Sequence, residues 1–249
     1  MNKALKDREK FLLGMVVEEY INNGEPISSK FLVKKYNFKL SPATIRFELQ
    51  KLTEGGYLYQ PHTSAGRVPS DKGYRFFIDE LMKPFPLELC DSGLIKNVLE
   101  KTEDDAETDV FNKELIKIIA QISKDLVMMG SLRDNEVYYD GVLNLFQKPE
   151  FQETRRIRGI FEMVESFKNN LEESWNDIEN LVGDMRVFIG KENPFYKAED
   201  YSIIISKFEF SKEKSKKDLG ILAILGPKRM RYNKNISLLN FISNFDHDF

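Results

Sequence analysis

The stretch SPATIRFELQKLTEGGYLYQPHTSAGRVPSDKGYR, residues 41–75, decides the fold of the N-terminal part of this chain. Ser41 and Pro42 mark a helix start, because serine is a favoured N-cap and proline suits the first helical position. Apolar residues then recur at helical spacing, at Ile45, Leu49 and Leu52. We therefore predict a helix that begins after Ser41 and buries one of its faces.

The opposite face of this helix is free to contact another molecule. At 100° per residue it carries Ala43, Phe47, Gln50 and Lys51. Gly55 and Gly56 should end the helix, residues 57–60 predict a short strand, and residues 61–69 predict a polar turn. This order of helix, strand and polar loop is typical of a recognition helix followed by its wing.

Two further helices are predicted before this stretch. Residues 4–22 carry an apolar stripe, and Ser28 or Ser29 can cap a short second helix. Three helices joined by short turns, with a strand pair after the third, are typical of a winged helix-turn-helix domain. The residues alone also allow a small helical bundle whose polar loop contacts nothing.

The rest of the chain predicts more helices and then a sheet. One helix capped by Ser70 should end before Pro84, and a second should span residues 112–129. After residue 137 the patterns predict helices over 155–171, up to about 181 and over 236–245, with strands at 185–189, 201–210 and 219–225. We therefore expect an α+β protein with three parts: a winged helix domain (1–84), a helical linker that could dimerise (85–136), and a domain with an antiparallel sheet (137–249).

Composition excludes several classes of protein. The chain has 249 residues, of which 41% are apolar and 31% charged, so it can bury real cores. The longest apolar run, residues 221–225, is too short to cross a bilayer, and we expect a cytoplasmic protein without a membrane partner. Residues 1–84 hold 14 basic and 10 acidic residues, whereas the remainder holds 23 and 30. The two parts should therefore have different partners.

The residues of common catalytic and metal sites are missing from the pattern. The chain has one cysteine and two histidines, His62 and His247, which form no metal-ligand cluster and no nucleophilic triad. It also has neither a phosphate-binding glycine loop nor a dinucleotide fingerprint. We therefore expect no enzyme, no metal and no cofactor.

Several strings resemble the family of the heat-inducible transcription repressor HrcA. They are SPATIR at 41, GGYL at 55 and above all QPHTSAGRVPSDKGYRFFID over 60–79. Three later strings resemble motifs of the family's effector domain: LFQKPEF over 145–151, FIGKEN over 188–193 and GPKRMRY over 226–232. The matching strings occur in the family's order along both halves of the chain.

This resemblance implies a winged helix followed by a GAF-like domain, and a bacterial repressor that associates with the nucleoid. Such a repressor binds an inverted-repeat operator in double-stranded DNA as a homodimer, before chaperone genes, until heat or unfolded protein relieves it. The chaperonin GroEL would keep it active. Two other classes stay open: a winged-helix regulator that senses a small ligand, and an adaptor that has lost operator binding.

The resemblance also implies which residues contact DNA. In the recognition helix these are Ser41, Thr44 and Arg46 together with the outer-face residues Ala43, Phe47, Gln50 and Lys51. In the wing they are His62, Thr63, Ser64 and Arg67. We expect Ala43, Phe47 and Gln50 near base edges, and Lys51 near a phosphate with Lys34 or Lys35. Arg67 is expected to contact a phosphate.

This chain departs from the family pattern in two ways. Phe47 stands where the family usually has asparagine, so the preferred operator should differ. Typical members are also longer, because an insert that dimerises them interrupts the GAF-like domain. We therefore expect dimerisation through the helices over 71–83 and 112–129, at Tyr74, Phe77, Ile78, Leu115, Ile119 and Ile122.

Overall fold

A computed structural model describes residues 4–100, 108–131, 136–169, 185–193, 198–209 and 219–245. The chain divides into two compact units, Met1–Lys83 and Pro84–Phe249. Each unit has its own set of helices and its own antiparallel sheet.

The first unit is a winged helix-turn-helix. It contains α1 (Asp7–Asn23), α2 (Ser29–Tyr36), α3 (Pro42–Glu54), β1 (Leu58–Tyr59), β2 (Val68–Pro69) and α4 (Asp71–Phe76), which continues as a π-helical turn over Phe77–Leu81. Strands β1 and β2 pair antiparallel, with Leu58 opposite Pro69 and Tyr59 opposite Val68. The three predicted helices and the helix that follows the wing are confirmed.

Local capping explains where these helices begin. The side-chain oxygens of Ser28, Ser41 and Ser70 each accept a hydrogen bond, at 3.1 Å, from the backbone N–H three residues later. Each bond satisfies a donor that the first helical turn leaves unpaired. Gly24 adopts a φ of 71° at the end of α1, a conformation that glycine takes without steric cost.

One buried carboxylate ties α1 to α2. Glu19 is 3% exposed, and it accepts hydrogen bonds from the Lys35 ammonium at 2.7 Å, the Tyr36 hydroxyl at 2.6 Å and the Asn23 amide at 3.0 Å. Burial by itself would raise the pKa of Glu19, but the bonds from Lys35 and Tyr36 outweigh burial and lower this pKa below the ordinary value. The ionised carboxylate therefore holds the two helices together.

Replacing this carboxylate tests its contribution. We expect Glu19→Gln to lower the free energy of unfolding by about 1.5 to 3 kcal/mol at pH 7, because a neutral amide loses the charge-assisted bonds. Since the folded-state pKa is lowered, the loss should be full above the ordinary glutamate pKa and should shrink as pH falls through the folded value. Thermal unfolding from pH 7 to pH 3 measures this. The adjacent, exposed Glu18→Gln is the control; equal effects of the two variants would contradict the prediction.

The second unit combines helices with a five-stranded sheet. Its helices are α5 (Leu89–Leu99), α6 (Thr108–Ser123), α7 (Val142–Phe146), α8 (Thr154–Asn169) and α9 (Tyr232–Ser243), with short 3-10 turns over Pro149–Phe151, Gly190–Glu192 and Ala198–Asp200. Its strands are β3 (Leu126–Ser131), β4 (Val137–Asp140), β5 (Met185–Ile189), β6 (Tyr201–Glu209) and β7 (Leu219–Pro227). They pair antiparallel in the order β4-β3-β7-β6-β5.

Helices cover both faces of this sheet. One face packs in a single core with α7 and α8, whose buried side chains include Leu145, Ile160, Met163 and Phe167. Helices α6 and α9 contact β3 and β6 outside that core. Because both faces are covered, the central strands β3, β6 and β7 carry continuous apolar runs rather than alternating ones. This unit confirms the predicted α+β class with an antiparallel sheet, and its layers fit a reduced GAF-like domain.

The predicted helix over residues 112–129 is wrong in its last six residues. Helix α6 ends at Ser123, Lys124 has a φ of 59°, and residues 126–131 form the interior strand β3. Leu126 and Met129 fit helical spacing after Ile122 by coincidence. The interpretation of residues 85–136 as a helical linker is corrected accordingly, since β3 belongs to the sheet of the second unit. The helix predicted to end near residue 181 lies outside the described residues.

A polar cluster joins the LFQKPEF string over 145–151 to the GPKRMRY string over 226–232. Asp125, 1% exposed, forms an ion pair with Lys148 of the LFQKPEF string and accepts a hydrogen bond of 3.0 Å from the Asn235 amide. Arg229 of the GPKRMRY string pairs with Glu150, its Nη2 lying 3.0 Å from the carboxylate. Burial raises the pKa of Asp125, while Lys148, Asn235 and Arg229 act against that rise. The two strings thus share one electrostatic network.

Candidate nucleic-acid interface

The outer face of α3 is the most extensive polar surface predicted to contact DNA. Ala43, Arg46, Phe47 and Gln50 are exposed, whereas Ile45, Leu49 and Leu52 are buried in the core of the unit. At the start of the helix the Ser41 and Thr44 hydroxyls lie 2.9 Å apart and cap the first turn. The structure therefore brings together all seven helix residues named from the sequence, with Lys51 half-buried beside them.

Phe47 is the most unusual residue of this face. It is 61% exposed, and the Lys51 ammonium lies 4.5 Å from the centre of its ring. The same ammonium is 3.2 Å from the carboxylate of Glu48. Lys51 is thus partly neutralised, and its ammonium forms a cation–π contact with the ring of Phe47. An exposed ring at this position can contact an apolar group such as the methyl of thymine.

The wing is a compact turn that is braced from inside. The side-chain amide of Gln60 donates to the carbonyl oxygens of Thr63 and Ala65, each at 2.9 Å. The Ala65 N–H donates to the His62 carbonyl at 2.9 Å, and His62 Nδ1 lies 3.0 Å from the Ser64 hydroxyl. His62, Thr63 and Ser64 remain exposed at the tip. The sequence did not predict this role of Gln60, which is the first residue of the QPHTSAGRVPSDKGYRFFID string.

Arg67, which the sequence predicts to contact a phosphate from the wing, has a buried side chain. Arg67 is 8% exposed, its Nε donates to the Thr53 hydroxyl at 3.0 Å, and its Nη2 donates to Gln50 Oε1 at 2.9 Å. Its backbone forms an antiparallel bridge with Ile27, through bonds of 2.8 and 2.9 Å. Sequence could not reveal this position, because the pairing with the segment before α2 is a tertiary contact.

Two cations, Arg46 and Arg67, shape the electrostatics around α3. Burial first, and then the positive charge of Arg46, lower the pKa of Arg67. Arg46 itself is exposed on the outer face. Positive charge therefore lies on both sides of the helix surface: the Arg46 guanidinium is in solvent, and the Arg67 guanidinium is buried.

Five of the six residues expected at a dimer contact are buried within the chain. Tyr74, Phe77, Leu115, Ile119 and Ile122 all belong to the cores of their own units, and Ile78 is half-buried. Their helical spacing came from packing inside one protomer. These five side chains are therefore not available on the surface for a contact with a second copy.

The winged helix-turn-helix unit and the α+β unit together define a class of two-unit winged-helix proteins. Comparison with known families matches residues 76–236 to the HrcA protein C terminal domain. The chain belongs to the HrcA family. The heat-inducible transcription repressor HrcA of Thermoanaerobacter pseudethanolicus is 27% identical, over 96% of this chain and 95% of that protein. The repressor of the same name from Clostridium acetobutylicum is 26% identical over 94% of each chain.

The alignments also show that this chain is shorter than its relatives. The alignment with the Thermoanaerobacter pseudethanolicus repressor runs over 334 positions, although this chain has 249 residues. That repressor therefore contains residues that this chain lacks. A solved crystal structure of a hypothetical protein shares the fold, with a TM-score of 0.69 at 20% identity over 97% of both chains.

Within the part of the chain that the structure describes, no helix is both long enough and apolar enough to span a bilayer.

Proposed function

We propose that this chain is a regulator rather than an enzyme: a DNA-binding repressor of heat-shock chaperone genes in the bacterial cytoplasm. The observation that carries the proposal is the exposed outer face of α3 beside a braced wing, in a chain of the HrcA family. Relatives over nearly the whole chain are named heat-inducible transcription repressors.

The groups on α3 and the wing suit the two grooves of a duplex. An exposed helix of 13 residues can lie in the major groove, where Gln50 and Phe47 would meet base edges. The wing tip at residues 62–64 would follow the adjacent backbone, where a histidine and two hydroxyls can donate to phosphates. Arg46 would supply the nearest free positive charge.

Dimerisation, relief by heat and chaperonin binding extend this proposal. One α3 reads one half-site, so an inverted repeat would require two copies related by a two-fold axis. The second unit, residues 84–249, is the part proposed to join the copies and to receive the stress signal. Its chaperonin partner is proposed from the family alone.

Footprinting on the upstream region of the chain's own gene and on chaperone promoters tests the proposal. We expect protection of an inverted repeat that weakens steeply with salt, as phosphate contacts require. Sedimentation with that duplex should give two protomers per repeat. The absence of protection at low salt would favour an adaptor, and protection altered by a metabolite would favour a ligand sensor.

Gln50 provides a sharper test of base reading. We expect Gln50→Ala to lower affinity for the protected duplex by about 1 to 3 kcal/mol and to leave affinity for random duplex unchanged. A fluorescence titration with both duplexes measures the difference. Gln121→Ala, on an exposed position of α6, is the matched control. An equal loss on both duplexes would show that Gln50 reads no base.

A further inference from the structure

The side chain of Arg67 faces the interior, below α3, and not the solvent. It is 8% exposed, and its backbone is fixed on both sides of the Ile27 bridge. Among the described carboxylates none forms an ion pair with it. A guanidinium in this position would have to break its hydrogen bonds to Thr53 and Gln50 before it could approach a phosphate. Its hydrogen bonds to α3 are therefore the contacts through which it can act.

Those bonds reach the one amide expected to read a base. Arg67 Nε donates to the Thr53 hydroxyl, and that hydroxyl in turn donates to the Leu49 carbonyl at 2.9 Å. The guanidinium is thus held against the helix itself. From there Arg67 Nη2 donates to Gln50 Oε1, on the preceding turn and at the exposed face.

A second neighbour fixes the same amide from the other side. Gln50 Nε2 donates to Glu54 Oε1 at 3.1 Å. A guanidinium can only donate and a carboxylate can only accept, so both neighbours require the same orientation of the amide. One lone pair of Oε1 and one N–H of Nε2 are left over. Adenine needs this pair of groups at its major-groove edge, an acceptor for N6 and a donor for N7.

We propose that Arg67 is a positioning residue that sets the base preference of Gln50 for adenine, and that it does not contact the DNA backbone. This inference rests on the proposed function, since it needs a duplex on the outer face of α3. It makes Arg67 a determinant of sequence preference although the residue itself is buried.

The experiment begins with a pool of random 30-base-pair duplexes. The wild-type chain selects a preferred duplex from the pool. Each base pair of that duplex is then changed singly, and the affinities of the wild-type chain and of Gln50→Ala are compared. The base pair at which Gln50→Ala loses discrimination is the one that Gln50 reads. We expect that pair to be A·T. Arg67→Lys keeps the positive charge but loses the planar guanidinium that donates to both Thr53 and Gln50. This variant should reduce discrimination at the base pair that Gln50 reads about tenfold. The double variant Arg67→Lys, Gln50→Ala should discriminate no less than Gln50→Ala alone. In Arg67→Met, which removes the charge, the salt slope should stay at the wild-type value.

Three outcomes would overturn the proposed role of Arg67 and leave the proposed DNA-binding function standing. A salt slope lowered by about one in the uncharged variant Arg67→Met, with equal weakening on every duplex, would indicate a phosphate contact. Unchanged discrimination in Arg67→Lys would indicate a residue that only stabilises the fold. A relaxed pair that is not A·T would contradict the adenine reading. A wild-type chain that selects no sequence at all would instead remove the proposed function, and this role with it.

A second variant covers the case in which Arg67→Lys unfolds, as circular dichroism would show. Gln50→Glu keeps an acceptor for Arg67 and presents only acceptors at the exposed face. Glu54→Gln is combined with it, so that no carboxylate faces another where Gln50 donates to Glu54. We expect its preference at the same base pair to move from A·T towards C·G, because a carboxylate accepts from N4 of cytosine. Retention of A·T by Gln50→Glu would count against the proposal.

Discussion

Replacing Lys148 with methionine is expected to lower the free energy of unfolding by about 3 to 5 kcal/mol at pH 7. The reason is the position of Asp125, which is 1% exposed. Among the residues that the structure describes, Lys148 is the cation that forms an ion pair with it. Without the ammonium, the carboxylate keeps the amide of Asn235 as a partner, and an amide cannot compensate a buried charge.

The pH dependence of this variant has a definite sign. Burial already raises the pKa of Asp125, and loss of Lys148 should raise it further. A raised folded-state pKa favours folding only while the group is protonated, so stability is lost as pH rises through that pKa. The deficit of Lys148→Met should therefore be small near pH 4 and large at pH 7.

Urea unfolding at the two pH values measures both effects. Lys168→Met, at an exposed position near the end of α8, is the matched control and should change stability little. The double variant Asp125→Asn, Lys148→Met should recover part of the loss, because no charge then remains in the interior. A deficit that is the same at pH 4 and pH 7 would contradict the ionic explanation.

Gly66→Ala should detach the wing from the rest of the first unit. A Cβ at this position would lie 2.5 Å from the Ile27 carbonyl carbon and 2.5 Å from the Pro26 oxygen, and backbone atoms cannot rotate away as a side chain can. We expect a loss of about 3 kcal/mol, at the upper end of overpacking costs. Because the displaced segment includes Arg67, sequence-specific DNA binding should fall more than nonspecific binding.

Thermal unfolding and duplex titration of the same preparation test this prediction. Gly93→Ala is the matched control, since a Cβ there would meet nothing within 4 Å. A Gly66→Ala chain with wild-type melting temperature and wild-type operator preference would show that the segment shifts without cost.

Local signals explain which features the sequence predicted correctly. The Ser41 cap, the proline after it and the spacing of Ile45, Leu49 and Leu52 all act within a few residues of one another, so α3 and its buried face could be predicted. The same holds for the pattern of exposed residues on its other side. Strand β6 and the strand β7 were also predicted, because their apolar runs are bounded by polar segments.

Features that depend on distant pairing were not predicted. Nothing near Arg67 indicates that the segment before α2 would bury it. Residues 126–129 are all apolar, and a short apolar run fits an interior strand as well as the last turn of a helix. The link between Lys148 and Asp125 likewise joins residues whose relation appears only when the sheet has formed.

The brace that Gln60 provides has a consequence for the energetics of binding. A loop that must become ordered on contact loses conformational entropy at that moment, and this loss subtracts from affinity. In this wing the two bonds from Gln60 and the turn from His62 to Ala65 already hold the tip in one shape. The conformational entropy of the wing backbone is therefore lost during folding and not during binding. His62, Thr63 and Ser64 can then contribute nearly their full interaction energy to the affinity for a partner.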